Sequence, residues 1–189
     1  MLTIRVSSGI AKNKRLKAPN VPDFRAVQEV VKQAIFSILG NKVVDAQCAD
    51  LFAGSGSLGL EALSRGAVWC DFVDNNYDAT ETLEKNTANC GFTEQSEIYR
   101  RESAKFAANT EKTYDLIFMD PFYNDTAHTH LIKQVGEILN PDGLAIILYG
   151  DQLDLGTILK DTDFEVTTTR KFGASRFSVL RHKEKLAKS

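Results

Sequence analysis

Cysteine is scarce in this chain, with three in all (Cys48, Cys70 and Cys90). No two of them stand in CxxC spacing, so neither a zinc knuckle nor a disulfide framework can be read from them. They read instead as reduced, partly buried small hydrophobes. Histidine is equally rare: His128 and His130, two of the three, are two positions apart and share no helix face, and no metal site is expected. Long apolar runs are missing too. None approaches the ~20 residues of a membrane helix, and the opening residues MLTIRVSSGIAKNKR lack the apolar centre of a secretory signal. A cytoplasmic protein with no membrane partner is therefore expected. There is no internal repeat and no low-complexity stretch, and the 43% hydrophobic and 25% charged residues exclude a disordered, collagenous or coiled-coil chain.

What is present is enough for one substantial core, because a chain of 189 residues buries roughly 70% of its unfolded surface. The net charge of −2 hides an asymmetry. Residues 1–42 carry Arg5, Lys12, Lys14, Arg15, Lys17, Arg25, Lys32 and Lys42 against Asp23 and Glu29, a net of +6, so the rest of the chain carries −8. A basic segment on an acidic body suits a polyanion, whose counterions clustered Lys and Arg displace. A solvated terminus is the other reading of the same charges.

Pro19 and Pro22 mark a boundary after a small N-terminal piece in which Thr3–Ser8 and Lys14–Lys17 can pair as a hairpin. Residues 1–22 are accordingly read as a basic arm and 23–189 as the main domain. The spacing of Val27, Val30, Val31, Ala34, Ile35, Ile38 and Leu39 predicts a helix over Ala26–Leu39. Strands then alternate with helices: strand Cys48–Ala53, helix Leu58–Ser64, strand Trp69–Asp74, helix Asp78–Cys90 closed by Gly91, strand Glu97–Arg101, strand Tyr114–Met119, helix Ala127–Leu139, a turn at Asn140–Gly143 and strand Leu144–Tyr149. Phe164–Phe172 and Arg176–Arg181 follow as a β-hairpin. The pattern predicts an α/β, Rossmann-like fold: an open, mainly parallel seven-stranded sheet with a terminal antiparallel strand. Trp69 reads as core rather than as a stacking platform.

Gly54, Gly56 and Gly59 form GxGxxG between a strand and a helix, with Asp74 twenty positions after Gly54 at the end of the next strand. Such glycines allow a tight turn and close backbone approach, and the acidic residue accepts from ribose hydroxyls. An adenosine-containing cofactor fits. Asp50, on the strand that delivers the loop, suits the cationic end of S-adenosylmethionine better than a pyrophosphate. Met119-Asp120-Pro121-Phe122-Tyr123 should project from the carboxyl edge of the sheet beside that cofactor. An aryl amine is a weak nucleophile, and a carboxylate (Asp120) with a freed carbonyl (Pro121) can accept its two hydrogens and aim its lone pair. Tyr123 offers a stacking face for an extruded base. A nicotinamide oxidoreductase has no use for such a loop. Methylation of another amino nitrogen, in DNA, RNA or a protein glutamine, and a non-catalytic RNA-binding role stay open at this point.

The stretch VDAQCADLFAGSGSLGLEALSRGA, the Asp-Pro-Phe-Tyr loop and the segments SGIAKNKRLKAP and FRAVQEVVKQAIFSIL resemble the RsmD family of bacterial 16S ribosomal RNA guanine-N2 methyltransferases. The likeness runs along nearly the whole chain. Phe122 stands where the family has a second proline, Ala26 and Val27 where it has Pro and Thr after the arginine matched by Arg25, and Ser103 where an acidic or amide residue is common. The resemblance implies transfer of a methyl group from S-adenosylmethionine to one guanine N2, position 966, of small-subunit RNA; the substrate is expected bare or in an assembling ribonucleoprotein, and the enzyme is expected to be a monomer. It implies catalytic residues Asp120, Pro121 and Tyr123, and cofactor contacts at Asp50, Phe52, Gly54, Ser55, Gly56, Gly59, Asp74, Asn75, Ser103 and Ala104. Substrate contacts are implied at Arg5, Lys12, Lys14, Arg15, Arg25 and Phe122.

Overall fold

A computed structural model describes residues 4–121 and 128–184. Alternation of side chains along each strand gives the sheet two apolar faces, and helices cover both. Seven strands lie in the order β5 (Ser96–Arg100), β4 (Trp69–Asp74), β3 (Gln47–Leu51), β6 (Tyr114–Met119), β7 (Leu139–Gly150), β9 (Ser175–His182), β8 (Phe164–Phe172). All pairings from β5 through β7 are parallel, and β9 runs antiparallel to both neighbours. The expected fold class is therefore found, with the antiparallel strand last in the chain but one place in from the sheet edge. Chain order reverses direction at β3, where β4 lies on one side and β6 on the other, which makes the crevice above their carboxyl ends the topological switch point.

On one face Cys48, Phe72, Leu116, Phe118 and Ile146 pack beneath α1 (Glu29–Leu39), α2 (Ser57–Ser64) and α3 (Tyr77–Cys90). On the other Leu51, Ile117, Met119 and Ile147 meet α4 (Ser103–Asn109), α5 (His128–Ile138) and α6 (Leu155–Leu159). The three cysteines are free and buried. Gly91 ends α3 in the left-handed conformation, as its position predicts. Among the described residues no helix is long and apolar enough to cross a membrane.

The N-terminal hairpin forms, but as two short strands, β1 (Ile4–Arg5) and β2 (Arg15–Leu16), in antiparallel register. Its apolar side chains Ile4, Val6, Ala11 and Leu16 join the core cluster of the first face. A buried polar network fixes it there. Lys32 of α1 lies 3.1 Å from Glu61 of α2, both nearly without solvent contact, and the Ser7 amide and hydroxyl donate to the same carboxylate at 2.8 and 2.7 Å. Arg65 completes it at 2.8 Å. Burial alone would raise the Glu61 carboxyl, yet the Ser7 amide and Lys32 hold it below its ordinary value.

Three local expectations need correcting. Asn140–Gly143 is an excursion within β7 rather than a turn before it: Leu139 pairs with Tyr114 and Leu144 with Leu116, and the four residues between fold back on the strand. The side-chain amide of Asn140 donates to Asp115 at 2.8 Å and steadies that excursion. The strand expected over Cys48–Ala53 ends at Leu51, because Phe52 turns to φ 66° and leaves the sheet. The helix expected from Ala26 starts only at Glu29, which leaves Phe24–Gln28 as an extended strap.

Candidate active site

At the switch point the β3–α2 loop turns on three left-handed residues, Phe52, Gly54 and Gly56. Gly56 occupies the cap position of α2 and has no side chain to offer. Asp50 does that work from the strand: its carboxylate accepts from the Gly59 amide at 2.9 Å and so satisfies one of the helix's orphan donors. Burial raises the Asp50 carboxyl well above its ordinary value, with Asp120 and Asp74 adding to the rise and the Gly59 amide opposing it. Gly59 serves packing, since a Cβ there would stand 2.4 Å from Phe72 and 2.6 Å from Cys70. Ser55 is buried, and its carbonyl is held by Asn86 at 2.9 Å.

Asp74 ties two loops together. One of its oxygens accepts from the Gly54 amide and the other from the Asn76 amide, both at 2.9 Å. Each oxygen keeps a second acceptor site free in principle, so the residue can hold its loop and still receive a ligand hydroxyl. Burial raises its carboxyl, against the Asn76 and Gly54 amides. Asp120 follows the last residue of β6, and its amide reaches the Leu51 carbonyl of β3 at 3.5 Å. Burial pushes its carboxyl up to about 7.

These groups share one cleft of about 790 Å³, lined by Asp50, Phe52, Gly54, Ser55, Asp74, Asn75, Asp120 and Pro121 and walled on one side by Arg25. The glycine loop, Asp74 and the Asp120–Pro121 start of the Asp-Pro-Phe-Tyr segment are thus brought together. Gly56 and Gly59 stand behind the lining as turn and packing residues, while Ser103 and Ala104 open α4 and do not line the cleft. Phe122 and Tyr123 lie outside the described residues. Lys12, Lys14 and Arg15 sit exposed on the hairpin and do not line the cleft, and Arg5 is paired with Glu29 at 3.0 Å.

Apart from Arg25, sequence reasoning missed two parts of this wall. Phe24 lies over the glycine loop, 3.0 Å from where a Gly54 side chain would begin, and the Phe24–Gln28 strap closes one side of the cleft. The opposite side comes from the end of β7 and the β8–β9 hairpin, including Asp151, Phe172 and Arg176. Only the position of β9 in the sheet brings that hairpin to the carboxyl edge, and no local motif announces it.

An acidic glycine-loop crevice at the switch point of this strand order defines a Rossmann-like class I methyltransferase. The family model described as Conserved hypothetical protein 95 matches residues 4–181, and the chain belongs to that family, whose curated relatives make it RsmD-like. YlbH of Bacillus subtilis is 33% identical over 173 residues, covering 89% of this chain and 92% of its own. Ribosomal RNA small subunit methyltransferase D of Escherichia coli is 33% identical over 118 residues, 62% of this chain and 59% of that protein. The structure of yhhF from Escherichia coli superposes with a TM-score of 0.83 at 22% identity, covering 97% of this chain and all of that one.

Proposed function

We propose that this protein methylates small-subunit ribosomal RNA with S-adenosylmethionine as cofactor, at the exocyclic N2 of a guanine. The observation that carries the reading is the convergence of Gly54, Asp74 and Asp120 on one cleft at the switch point. The cleft fits the cofactor by its donor set: three carboxylates on the floor favour a cation, and Asp74 is fixed by two backbone amides with acceptor capacity to spare. When bound, S-adenosylmethionine supplies an electrophilic methyl group. Asp50, Phe52, Gly54, Ser55, Asp74 and Asn75 would hold it, with Gly56 and Gly59 shaping the loop; Ser103 and Ala104 are kept as contacts on family resemblance alone.

The chain's own work on the substrate amine is positional. Asp120 accepts one hydrogen of the amino group and the Pro121 carbonyl the other, which turns the nitrogen lone pair toward the cofactor side of the cleft. A carboxylate near pH 7 in its titration can also receive the proton that becomes acidic as the nitrogen gains charge. Tyr123 and Phe122 supply aromatic faces to the extruded base in this reading. The hairpin of residues 1–22 binds phosphates through Arg5, Lys12, Lys14 and Arg15, and Arg25 adds a contact from residues 23–189, the catalytic part. A monomer in the cytoplasm, where the RNA is made, completes the proposal.

Methylation of ribosomal RNA from cells lacking the gene, with labelled cofactor and nucleoside mass spectrometry, tests it. N2-methylguanosine is the expected product. A methylated adenosine would overturn the target atom, and absence of any transfer to RNA would overturn the function.

A further inference from the structure

We propose that Arg176 clamps the backbone phosphate of the target nucleotide, with Asp151 holding its guanidinium until RNA displaces it. The inference rests on the RNA reading above but concerns a residue that neither motif nor resemblance singles out.

In the sheet register Arg176 of β9 faces Tyr149 of β7, while Met119, next to Asp120, faces Ile147 of β7. Arg176 therefore stands on the same carboxyl edge as Asp120, two strand spacings away, or roughly 10 Å. A single nucleotide bridges that span from the edge of its base to its phosphate. Both residues line the same cleft.

The floor is acidic and repels a phosphate, so an anion entering with the base needs a cation set off to the side. At the rim Asp151 is shared between two cations: Arg176, and Lys171 at 3.2 Å. One carboxylate facing two cations leaves positive charge in excess. The Arg176 guanidinium also lies 5.8 Å from the centre of the Tyr149 ring, whose hydroxyl is hydrogen-bonded to Ser178 at 2.8 Å. The planar fork is thus oriented from one side by a fixed aromatic. Its Nε–H is buried and without a hydrogen-bond partner among the described residues. A guanidinium whose ion pair is exposed and whose plane is already held is prepared for a better acceptor at its terminal nitrogens, and a phosphate can take two guanidinium hydrogens at once.

Three variants test this: Arg176→Ala, Arg176→Lys and Asp151→Asn, with binding of a small-subunit RNA transcript measured by filter retention across salt and cofactor binding measured by calorimetry. Arg176→Ala should weaken RNA binding on the order of tenfold and lower the salt slope by about 0.7–0.9, the value of one phosphate contact, with cofactor affinity unchanged. Arg176→Lys should keep most of the slope and lose part of the affinity. Asp151→Asn breaks the same ion pair, yet it should leave RNA binding as tight or tighten it a few-fold. Equal losses in Arg176→Ala and Asp151→Asn would show a merely structural ion pair and overturn the proposal. So would an unchanged salt slope in Arg176→Ala. If the unaltered protein bound no RNA, the functional reading itself would fall, and the Arg176 assignment with it.

Discussion

Replacing Asp120 by asparagine separates the charge of this residue from its shape. Burial pushes the carboxyl up to about 7, so at pH 6 only about a tenth of the molecules carry the carboxylate that accepts the amine hydrogen. Single-turnover methylation by the unaltered protein should therefore climb about tenfold per pH unit below 7 and level off above it. Asp120→Asn should lower the plateau by about 100-fold, the loss usual when one positioned contact to a transition state is removed, and should abolish the rising limb. Stability runs the other way. A carboxyl raised in the folded state keeps its proton while the unfolded chain has lost it, so the native state is favoured below about pH 4 and that advantage drains away up to about 7. At pH 8 the asparagine variant, with no charge to bury, should be more stable, by at most a few kcal/mol. The assays are rapid-quench transfer to RNA from pH 5.5 to 8.5 and thermal unfolding at pH 5 and 8. A variant that kept both the limb and its midpoint would assign the titration to another group and remove Asp120 from the mechanism.

Gly59→Ala should cost about 1–3 kcal/mol by overpacking, since its Cβ would press on Phe72 and Cys70 of the sheet; calorimetric unfolding reads this directly. Glu61→Ala leaves Lys32 buried without its charged partner and should cost about 3–5 kcal/mol, with hydrogen exchange rising first in the β1–β2 hairpin because Ser7 loses both its bonds to that carboxylate. Alanine at Lys12, Lys14 and Arg15 together should weaken RNA binding and flatten its salt dependence by about two to three units while cofactor affinity is kept. An unchanged slope would make the hairpin a structural element only.

Much of the fold could be read from residue order because the buried parallel strands are short apolar runs between helices of 3.6 periodicity: Tyr114–Met119 and Trp69–Asp74 fall where the pattern puts them. What escaped was short or long-range. The seven residues of α4 and five of α6 carry too few apolar positions to show a period. Lys32 and Glu61 each look like solvated helix charges, and only the docking of the hairpin buries them as a pair. The site divides the same way. Asp50, Gly54 and Asp74 lie on consecutive strand ends of one βαβ unit, so sequence spacing alone sets their positions, whereas Arg176 reaches the cleft through the antiparallel insertion of β9, which spacing cannot express. Asp50 also has a second role that spacing does not announce, because a glycine at the cap of α2 transfers the capping to the strand carboxylate.

The charge layout of the cleft predicts how its two ligands communicate. Asp50, Asp74 and Asp120 line the same cleft, and each, when ionised, raises the cost of bringing a phosphate to the rim. S-adenosylmethionine carries one positive charge more than S-adenosylhomocysteine, and the two are otherwise nearly alike in shape. At roughly 10 Å from a rim phosphate, one unit charge is worth about 0.4 kcal/mol in water and about 1.7 kcal/mol at an effective dielectric of 20. RNA should therefore bind about 2- to 18-fold more tightly in the presence of the methyl donor than of its product, and by linkage RNA should favour the donor by the same factor. The consequence for turnover is directional, because transfer removes the charge that helped to hold the RNA and so promotes its release. Salt should erode the difference, since about 10 Å is also the screening length near 0.1 M. Binding of RNA to the Asp120→Asn variant with each cofactor, read before its roughly 100-fold slower transfer has consumed the donor, measures the ratio. Equal affinities at low salt would mean that the floor and the rim do not feel each other, and the electrostatic account of the cleft would have to be abandoned.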